Sequence, residues 1–420
     1  MRSVVLKLVL PALLSLVSPL AAAQDAEPAP FELYHWWGSA GERDAVTTLR
    51  RYVEQLGVRW AESGRVQQGN LIGYRQTLAQ RIEQGDGPDA AVVLSTDVRQ
   101  LMNSNALLLL DDVAAANDWD EVVPTAVQRL SRVEGHWVSI PINIHSTNWI
   151  WLNAALAHQL DLPVLDTWDD LIVALEKARQ AGLVPLAIGD EAGQHMLLFE
   201  AVSAGVGGAE FYRRVFLQLK PTEPDLELLK VVFARMRELR DYAQTAGHGL
   251  RWNEATAMVR TGKALVQLQG SWAIAEFNHF GLIEGQDYYC QRFPDTQGMV
   301  LFNSDQIVVF RNQRTPDSVR AAFATALMSP QVQREVSITK GAAPARVDAA
   351  ADGFSGCGRK AIHDVRMGNM RGTLLESIAM SGASPMSAFH AFYPVVSGHF
   401  RGEISDQQAL KALETVWVNQ

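Results

Sequence analysis

Short apolar runs alternate with longer amphipathic ones along most of this chain, and this alternation constrains the fold more than any other feature. The run FELYHWW at 31–37 is typical of a strand, and apolar residues then recur at helical spacing from Val46 to Leu56. The stretch LDTWDDLIVALEKARQAGLVPLAIG at 165–189 then predicts a helix followed by a strand. Strand–helix units that repeat in this way predict an α/β protein.

The order of these units predicts two bodies. The chain has 420 residues, which is too long for one typical domain. Strand–helix units occur before residue 143, and strand and helix signals resume after residue 305. Between them, HWVSIPINIHSTNWIWLNAAL at 136–156 is long, β-rich and interrupted by Pro141. We expect strands there that pass from one body to the other, so that two α/β lobes exchange segments.

Composition and charge exclude some classes of protein. About half of the residues are apolar (48%), 20% are charged, and the mean hydropathy is −0.03, which is typical of a globular protein and not of a disordered one. The formal net charge is −9, and no basic run occurs. A nucleic acid is therefore not an expected partner, because phosphate backbones select clustered lysine and arginine.

The first residues carry the pattern of an export signal. Arg2 precedes an apolar run and Lys7 lies within it, and small residues with an A-x-A site follow. This pattern predicts a signal peptide over 1–23, cleaved near Ala23. A single membrane anchor is the alternative, which Pro11, Pro19 and the short apolar core make less favourable. No later segment reaches the roughly 18 uninterrupted apolar residues that a membrane span needs.

The chain has two cysteines, Cys290 and Cys357. In an oxidising compartment, one disulfide between them is a more economical interpretation than two free thiols. A bridge closing a loop of this length is expected to contribute about 4 kcal/mol in the chain-entropy model. A metal site is the weaker interpretation, because neither cysteine has a histidine or cysteine at ligand spacing.

Catalytic and nucleotide-binding motifs are absent from the sequence. No H-E-x-x-H, G-x-S-x-G, Walker or dinucleotide motif occurs, and no histidines are paired at metal-ligand spacing. Carboxylate pairs such as Asp111–Asp112 lie at predicted helix edges, where capping and the helix dipole explain them. We therefore expect no cofactor, no metal and no catalytic residue.

Tryptophan gives the positive signal. The chain has eleven, and several of them stand at the ends of elements: Trp36, Trp37, Trp252 and Trp272. Neighbouring side chains of an extended backbone face opposite ways, so the pair at 36–37 cannot fill one core. Ligands of open α/β sheets lie beyond the carboxyl ends of strands, and flat aromatic rings suit the C–H faces of sugars. Tryptophans that only plug the core are the alternative, and we predict one plug and one cleft wall.

Several stretches resemble one family in the expected order. They include HWWGSAGERDA, GDGPDAAVV, GHWVSIPINIHSTNWIWLN, WNEATAMVRTGKALVQLQGSWA, DYYCQRFPDT and KGAAPARVD. In these stretches the chain is similar to the extracellular solute-binding proteins of ABC sugar importers, and most of all to the glucose/mannose-binding subgroup. The resemblance implies a type II periplasmic-binding fold of two α/β lobes joined by three hinge crossings, near 143–146, 302–307 and 340–347. The implied lobes are 31–143 plus 307–343 and 146–301 plus 348–420, and Cys290–Cys357 would match the disulfide of the subgroup.

The resemblance also implies a ligand site. Trp36 and Trp37 match the stacking tryptophans of the subgroup, and Glu42 matches its hydroxyl acceptor, although Glu42 could equally only cap its helix, since Ser39 and Glu42 have capping-box spacing. Asp305 and Lys340 fall on the ligand-binding Asp and Lys of the subgroup, and Trp272 falls on the aromatic residue that follows a strand in the related maltose-binding protein. His390 lies close to the position near the tail helices where the subgroup has a ligand-binding histidine.

Three positions depart from the pattern of the subgroup. Leu94 stands where the subgroup has a lysine, Ser146 replaces an arginine, and Met380 replaces a histidine. An unpaired hydroxyl in a closed cleft costs about 1–3 kcal/mol, so these losses change recognition. We expect a less charged and roomier cleft that does not hold glucose in the manner of the subgroup.

The implied function is that of a periplasmic receptor that binds a mono- or small oligosaccharide and presents it to an inner-membrane ABC permease. We expect a monomer whose lobes close on the ligand. A receptor that signals to a membrane sensor kinase is one alternative. A secreted glycosidase is another, but it needs two catalytic carboxylates, and only Glu42 and Asp305 are candidates.

Overall fold

The structure is a computed structural model, and it describes residues 30–63, 71–243, 249–312, 314–380 and 386–418. The predicted signal peptide and its cleavage site lie outside these residues. The described strands are β1 (Phe31–Tyr34), β2 (Trp60–Ser63), β3 (Ala90–Val93), β4 (Arg132–Val133), β5 (His136–Trp137), β6 (Ile140–Pro141), β7 (His145–Ser146), β8 (Trp149–Asn153), β9 (Val184–Ala187), β10 (Ala264–Gln269), β11 (Tyr288–Arg292), β12 (Val300–Asn303), β13 (Gln306–Val309) and β14 (Leu374–Glu376).

Helices alternate with these strands, and a π-helical turn at Arg213–Leu217 extends the ninth. The described helices are α1 (Ala40–Gln55), α2 (Leu71–Glu83), α3 (Ser95–Met102), α4 (Asp111–Ala116), α5 (Trp119–Val122), α6 (Thr125–Ser131), α7 (Ala154–Gln159), α8 (Trp168–Gln180), α9 (Ala192–Tyr212), α10 (Glu223–Tyr242), α11 (Trp252–Arg260), α12 (Ala273–His279), α13 (Asp317–Leu327), α14 (Pro330–Lys340), α15 (Gly356–Arg371), α16 (Met386–Phe400) and α17 (Asp406–Val418).

A five-stranded sheet organises one body of the molecule, which we call the first lobe. Its strand order is β2-β1-β3-β13-β6, with β1, β2 and β3 parallel and β13 antiparallel to its neighbours. The strands β3 and β13 are buried along their whole length, as near-continuous apolar runs predict. The sequence predicted this α/β arrangement correctly.

A four-stranded sheet organises the other body, which we call the second lobe. Its order is β11-β8-β10-β9, in which β8 is antiparallel to both neighbours. The helices α9 and α10 contribute a large apolar core beside this sheet, including Phe199 and Phe233, whose ring centroids lie 5.6 Å apart.

A small sheet of order β14-β12-β7 lies between the two cores. Successive strand residues face opposite ways, and here the two faces serve different lobes. Leu301 and Leu375 join the core of the second lobe, whereas Val300, Phe302 and Leu374 join the core of the first. The sequence pattern of the tail from 360 to 416 predicts helix, and β14 corrects that prediction. Its residues are too few to carry a visible period.

The chain crosses between the lobes at three places. It passes from β6 to β7, from β12 back to β13, and again after α14, where Gly341 ends the helix with φ of 67°. The first and third crossings are paired, because Ile144 and Ala343 exchange backbone hydrogen bonds of 2.7 and 2.9 Å. Three crossings with sheets on both sides are the arrangement that the resemblance implied.

The predicted disulfide is present. Cys290 in β11 is bonded to Cys357 in the first turn of α15, across 67 positions of sequence. The carboxylate of Glu284 accepts a hydrogen bond from the backbone N–H of Cys357 at 2.6 Å. Bridge and carboxylate together fix the start of α15 against the second-lobe sheet. None of the described helices is both long and apolar enough to cross a membrane.

Candidate functional site

A cleft of about 530 Å³ opens between the two lobes. All seven side chains that the sequence predicted for ligand binding line it: Trp36, Trp37, Glu42, Trp272, Asp305, Lys340 and His390. Residues that the sequence analysis did not propose as ligand-binding also line it: Leu71, Arg75, Leu94, His145, Glu191, Ala192, Gly193, Gln194, Leu197, Trp252, Asn303, Ala379, Met380 and Tyr393. The fold therefore gathers residues from 36 to 393 around one space.

Two tryptophans form the first-lobe wall of this cleft. The strand β1 ends at Tyr34, three residues earlier than predicted, so Trp36 and Trp37 lie in the turn that leads to α1. Trp37 is 4% exposed and belongs to the first-lobe core, whereas Trp36 is half-buried with its ring 5.1 Å from that of Tyr74. Trp37 is thus the buried plug and Trp36 the more open wall, although both rings reach the cleft.

Glu42 stands at the start of α1 and has a structural task there. The predicted capping box is present, since the Glu42 backbone N–H donates to Ser39 Oγ at 3.3 Å and the Ser39 N–H donates to Glu42 Oε2 at 2.9 Å. The N–H of Gly38 donates to the same oxygen at 2.9 Å. Glu42 therefore caps the helix while its carboxylate borders the cleft.

Asp305 lies in the second crossing and is surrounded by polar groups. The side-chain amide of Asn143 donates to Asp305 Oδ2 at 2.9 Å, and the Asp305 N–H donates to Asn143 Oδ1 at 3.1 Å. Lys340 Nζ lies 3.3 Å from the same carboxylate oxygen, and His145 Nε2 lies 3.5 Å from it. Lys340 Nζ also lies 4.1 Å from the ring centroid of Trp37, which is within the range of a cation–π interaction.

Burial and these neighbours set the charge states. Burial works against ionisation of Asp305, but Lys340, His145 and Asn143 outweigh it and hold the pKa of Asp305 well below its usual range. Burial lowers the pKa of His145, and Lys340 adds to this effect although Asp305 opposes it. At neutral pH the floor of the cleft is therefore an ionised Asp305 beside a neutral His145 imidazole.

Trp272 forms part of the second-lobe wall at the end of β10. Its ring folds back over Gly270, where an added methyl group would overlap the ring. The ring of His145 meets Trp272 edge-on with a centroid distance of 5.4 Å. Glycine and histidine thus fix the orientation in which Trp272 faces the cleft.

The rest of the second-lobe wall comes from helix ends. Gln194 in the first turn of α9 accepts a hydrogen bond of 2.6 Å from Gln269 Nε2, and Trp252 begins α11. Burial raises the pKa of Glu191, the residue before α9. These groups add hydrogen-bonding atoms and, in Trp252, a second tryptophan face on the side of the second lobe.

A buried acid holds the segment after β14, which carries Ala379 and Met380 into the cleft. Glu200 accepts hydrogen bonds from Thr147 Oγ1 at 2.5 Å, from Ser377 Oγ at 2.9 Å and from the Ala379 N–H at 3.0 Å. Burial raises the pKa of Glu200 to about 7, against the lowering effect of these donors. The Tyr393 hydroxyl donates a hydrogen bond to the Ala379 carbonyl, so α16 also holds this segment in place.

The three departures from the subgroup pattern lie in different places. Leu94 and Met380 line the cleft, so apolar side chains stand where the subgroup pattern has charged or polar ones. Ser146 is buried in β7 and does not line the cleft, and its N–H donates to Ser271 Oγ at 3.4 Å.

Sequence reasoning missed His145, Glu191, Gln194 and Tyr393 as cleft residues. His145 stood inside a segment that was recognised as crossing between lobes, so its position in a crossing was the available signal. The others lie at helix ends or on α16 with no local motif, and only the fold brings them together. Trp252 was noted as a tryptophan at an element end, which was a usable signal.

Comparisons with known proteins agree with this architecture. The model of a family described as bacterial extracellular solute-binding protein matches residues 59–334. A protein of Brucella suis is 37% identical over 402 residues, which cover 96% of this chain and 94% of that protein. This chain belongs to the bacterial extracellular solute-binding proteins.

Relatives of this solute-binding protein carry similar names. The Brucella suis protein is named a probable sugar-binding periplasmic protein. A protein of Mesorhizobium japonicum has the same name and is 33% identical over 94% of this chain and 95% of its own length.

Solved structures share the fold of this solute-binding protein at low sequence identity. A chitin oligosaccharide binding protein superposes with a TM-score of 0.75 at 18% identity, covering 92% of this chain and 98% of that one. The bacterial solute receptor AcbH, which has an exclusive substrate preference for b-D-galactopyranose, gives a TM-score of 0.76 at 15% identity, covering 93% of this chain and 98% of that one. At these identities the likeness establishes the type II periplasmic-binding fold.

Proposed function

We propose that this protein is the periplasmic receptor of an ABC importer and binds a neutral mono- or small oligosaccharide between its lobes. The observation that carries the proposal is the set of four tryptophans around one interlobe cleft: Trp36 and Trp37 on one side, Trp252 and Trp272 on the other. Aromatic faces on opposing walls suit the C–H faces of a sugar ring, and the names of the relatives agree with such a ligand.

The charges of the cleft favour a neutral ligand. Lys340 is paired with Asp305, and Arg75 Nε lies 2.8 Å from Asp97 Oδ1, so both cations already face a carboxylate. Glu42 and Glu191 add acidic groups on either side. Among the described residues that line the cleft, no uncommitted cation would offset these carboxylates for an anionic sugar, whereas hydroxyl groups can donate to them.

The proposal extends to residues and partners. Asp305, Lys340, Glu42 and His390 would exchange hydrogen bonds with ligand hydroxyls. The lobes would be 31–143 plus 307–343 and 146–301 plus 348–420, and the closed monomer would dock on an inner-membrane permease. The chain would reach the periplasm after cleavage near Ala23. Binding would do no chemistry and would shift only the balance of open and closed forms.

Thermal unfolding of residues 24–420 against a panel of neutral mono-, di- and trisaccharides tests the proposal. A ligand at 100 times its Kd adds about 2.7 kcal/mol, which raises Tm by a few degrees for a chain of this size. We expect one sugar to raise Tm and Trp36→Ala to abolish the shift. Trp60→Ala is the matched control, because Trp60 is half-buried in β2 and does not line the cleft.

A folded protein whose Tm responds to none of these sugars would contradict a carbohydrate ligand. Sugar phosphates and uronates belong in the same panel, because a shift with them alone would contradict the neutral ligand. An aryl glycoside assay tests the absence of catalysis, and turnover that Glu42→Gln or Asp305→Asn abolishes would overturn the receptor proposal in favour of a glycosidase.

A further inference from the structure

Asp305 occupies an unusual position, because side chains from the first crossing and from the last residue before the third crossing converge on its carboxylate. Asn143 and His145 come from the first crossing, Asp305 itself lies in the second, and Lys340 is the last residue before the third. All three partners approach one oxygen, Asp305 Oδ2: Asn143 Nδ2 lies 2.9 Å from it, Lys340 Nζ 3.3 Å and His145 Nε2 3.5 Å. The backbone of the second crossing takes part as well, since the Ile142 N–H donates to the Asp305 carbonyl at 3.1 Å.

The same carboxylate is linked to one aromatic wall on each lobe. On one side, Lys340 Nζ lies over the ring of Trp37 at 4.1 Å. On the other, His145 meets the ring of Trp272 edge-on at 5.4 Å, and His145 Nδ1 lies 3.0 Å from Ser271 Oγ, beside Trp272 in the chain. An unbroken series of contacts therefore runs from the first-lobe wall through the hinge to the second-lobe wall.

We propose that Asp305 and His145 are positioning residues that set the angle between the two aromatic walls, so that the hinge and the ligand contacts share one carboxylate. A change of hinge angle alters the geometry in which the crossings present Asn143, His145 and Lys340 to Asp305. Asp305 and Lys340 are both buried, and a buried carboxylate that loses its cation is strongly unfavourable. A hinge angle that separated them would carry this cost, so the present angle is favoured even without ligand. The link from closure to affinity rests on the proposed function, whereas the effect on the hinge does not.

A second contact between the lobes provides a matched control. His279 Nδ1 on α12 lies 2.8 Å from Asp44 Oδ2 on α1, and both side chains are substantially exposed. This pair also bridges the lobes, but it lies outside the cleft and its carboxylate contacts no crossing. Exposed ion pairs contribute little, so Asp44→Asn makes the same chemical change in an interlobe acid without touching the hinge.

The test measures the distance between the lobes in the ligand-free protein. Nitroxide labels on cysteines introduced at the exposed Arg50 and Lys263, with the native disulfide kept oxidised, report the distance distribution by pulsed dipolar spectroscopy. We expect Asp305→Asn to shift or broaden the distribution and Asp44→Asn to leave it as in the parent protein. An unchanged distribution in Asp305→Asn, or an equal change in both variants, would overturn the proposal.

Further arms keep the test decisive. If Asp305→Asn does not fold, as judged by circular dichroism, Lys340→Met is expected to shift the distribution and Lys340→Arg to restore it. His145→Asn is expected to move the distance distribution and the tryptophan emission together. With the sugar found by the unfolding panel, affinity should fall at least tenfold in Asp305→Asn. A panel without any hit would contradict the carbohydrate ligand and leave the ligand-free distance measurement as a valid test of the hinge.

Discussion

The two walls of the cleft are built in different ways. The first-lobe wall takes Trp36, Trp37 and Glu42 from one short run at the end of a strand and the start of a helix, and Trp37 is part of a core. The second-lobe wall takes Trp252 from the start of α11, Trp272 from the turn between β10 and α12, and Tyr393 from α16. A wall from one run is fixed by local backbone geometry, whereas the other wall depends on tertiary contacts that hold each piece.

The largest difference should appear when one tryptophan is removed from each wall. Trp37 is 4% exposed within the first-lobe core, so Trp37→Ala should lower the free energy of unfolding by about 3–5 kcal/mol. Trp272 is half-buried, so Trp272→Ala should cost clearly less stability while also weakening sugar binding. Urea denaturation monitored by circular dichroism measures both, and equal stability losses would refute the distinction between the walls.

The free energy of unfolding should change by roughly 3 kcal/mol with pH because of Glu200, the buried acid that supports the second-lobe wall. Burial raises the pKa of Glu200 from its ordinary 4.5 to about 7, so the folded protein holds this proton more tightly than the unfolded chain does. The stabilisation is complete below pH 4.5 and is lost as the pH rises through 7. Glu200→Gln should remove this pH dependence. The free energy of unfolding of the variant minus that of the wild type should therefore be larger at pH 8 than at pH 4.5.

The difference between wild type and Glu200→Gln isolates this group from other titrations. Burial lowers the pKa of His195 to about 4, and this histidine is common to both proteins. Chemical denaturation at a series of pH values from 4.5 to 8 gives the two curves. Parallel curves would mean that Glu200 is ionised throughout and that its hydrogen bonds to Thr147 and Ser377 outweigh burial.

What could be predicted from the sequence follows the same division. Strand–helix units, the Ser39–Glu42 capping box and the disulfide were predicted correctly, because each depends on neighbours in sequence or on a single pair of cysteines. Of the seven proposed ligand residues, Trp36, Trp37 and Trp272 stood out as tryptophans at element ends, and the resemblance supplied the positions of the other four that line the same cleft. His145 was missed although it lies in a predicted crossing, and Glu191 and Tyr393 were missed because only the tertiary fold brings them to the site. The strand β14 was missed because three residues inside a helical tail show no period.

A smaller effect on ligand affinity is expected from Gly270→Ala, which adds one methyl group behind the second-lobe wall. The Trp272 ring lies over Gly270, so Gly270→Ala must displace the ring. Overpacking costs about 1–3 kcal/mol, and if most of this is lost from ligand contacts, affinity falls roughly tenfold, as isothermal titration would measure. Gly193→Ala is the matched control, because Gly193 lines the same cleft and an added Cβ would meet only the Tyr393 hydroxyl at 3.8 Å. Equal affinities for the two variants would mean that Gly270 does not position the ring.

The smallest effect separates the two roles of Glu42 in the first-lobe wall. Glutamine retains a side-chain oxygen that can accept from the Ser39 N–H, so Glu42→Gln should change the free energy of unfolding by only a few tenths of a kcal/mol. Ser39→Ala removes the reciprocal acceptor and should lower the free energy of unfolding by about 1 kcal/mol.

The effect on ligand binding should be the reverse. If Glu42 also accepts a ligand hydroxyl, Glu42→Gln weakens sugar binding, because a charged acceptor forms the stronger hydrogen bond, while Ser39→Ala leaves binding nearly unchanged. Affinity retained in Glu42→Gln would assign the residue to capping alone. The first-lobe wall would then owe its recognition to tryptophan faces and to the Asp305–Lys340 pair, and the capping box would be only the local geometry that orients them.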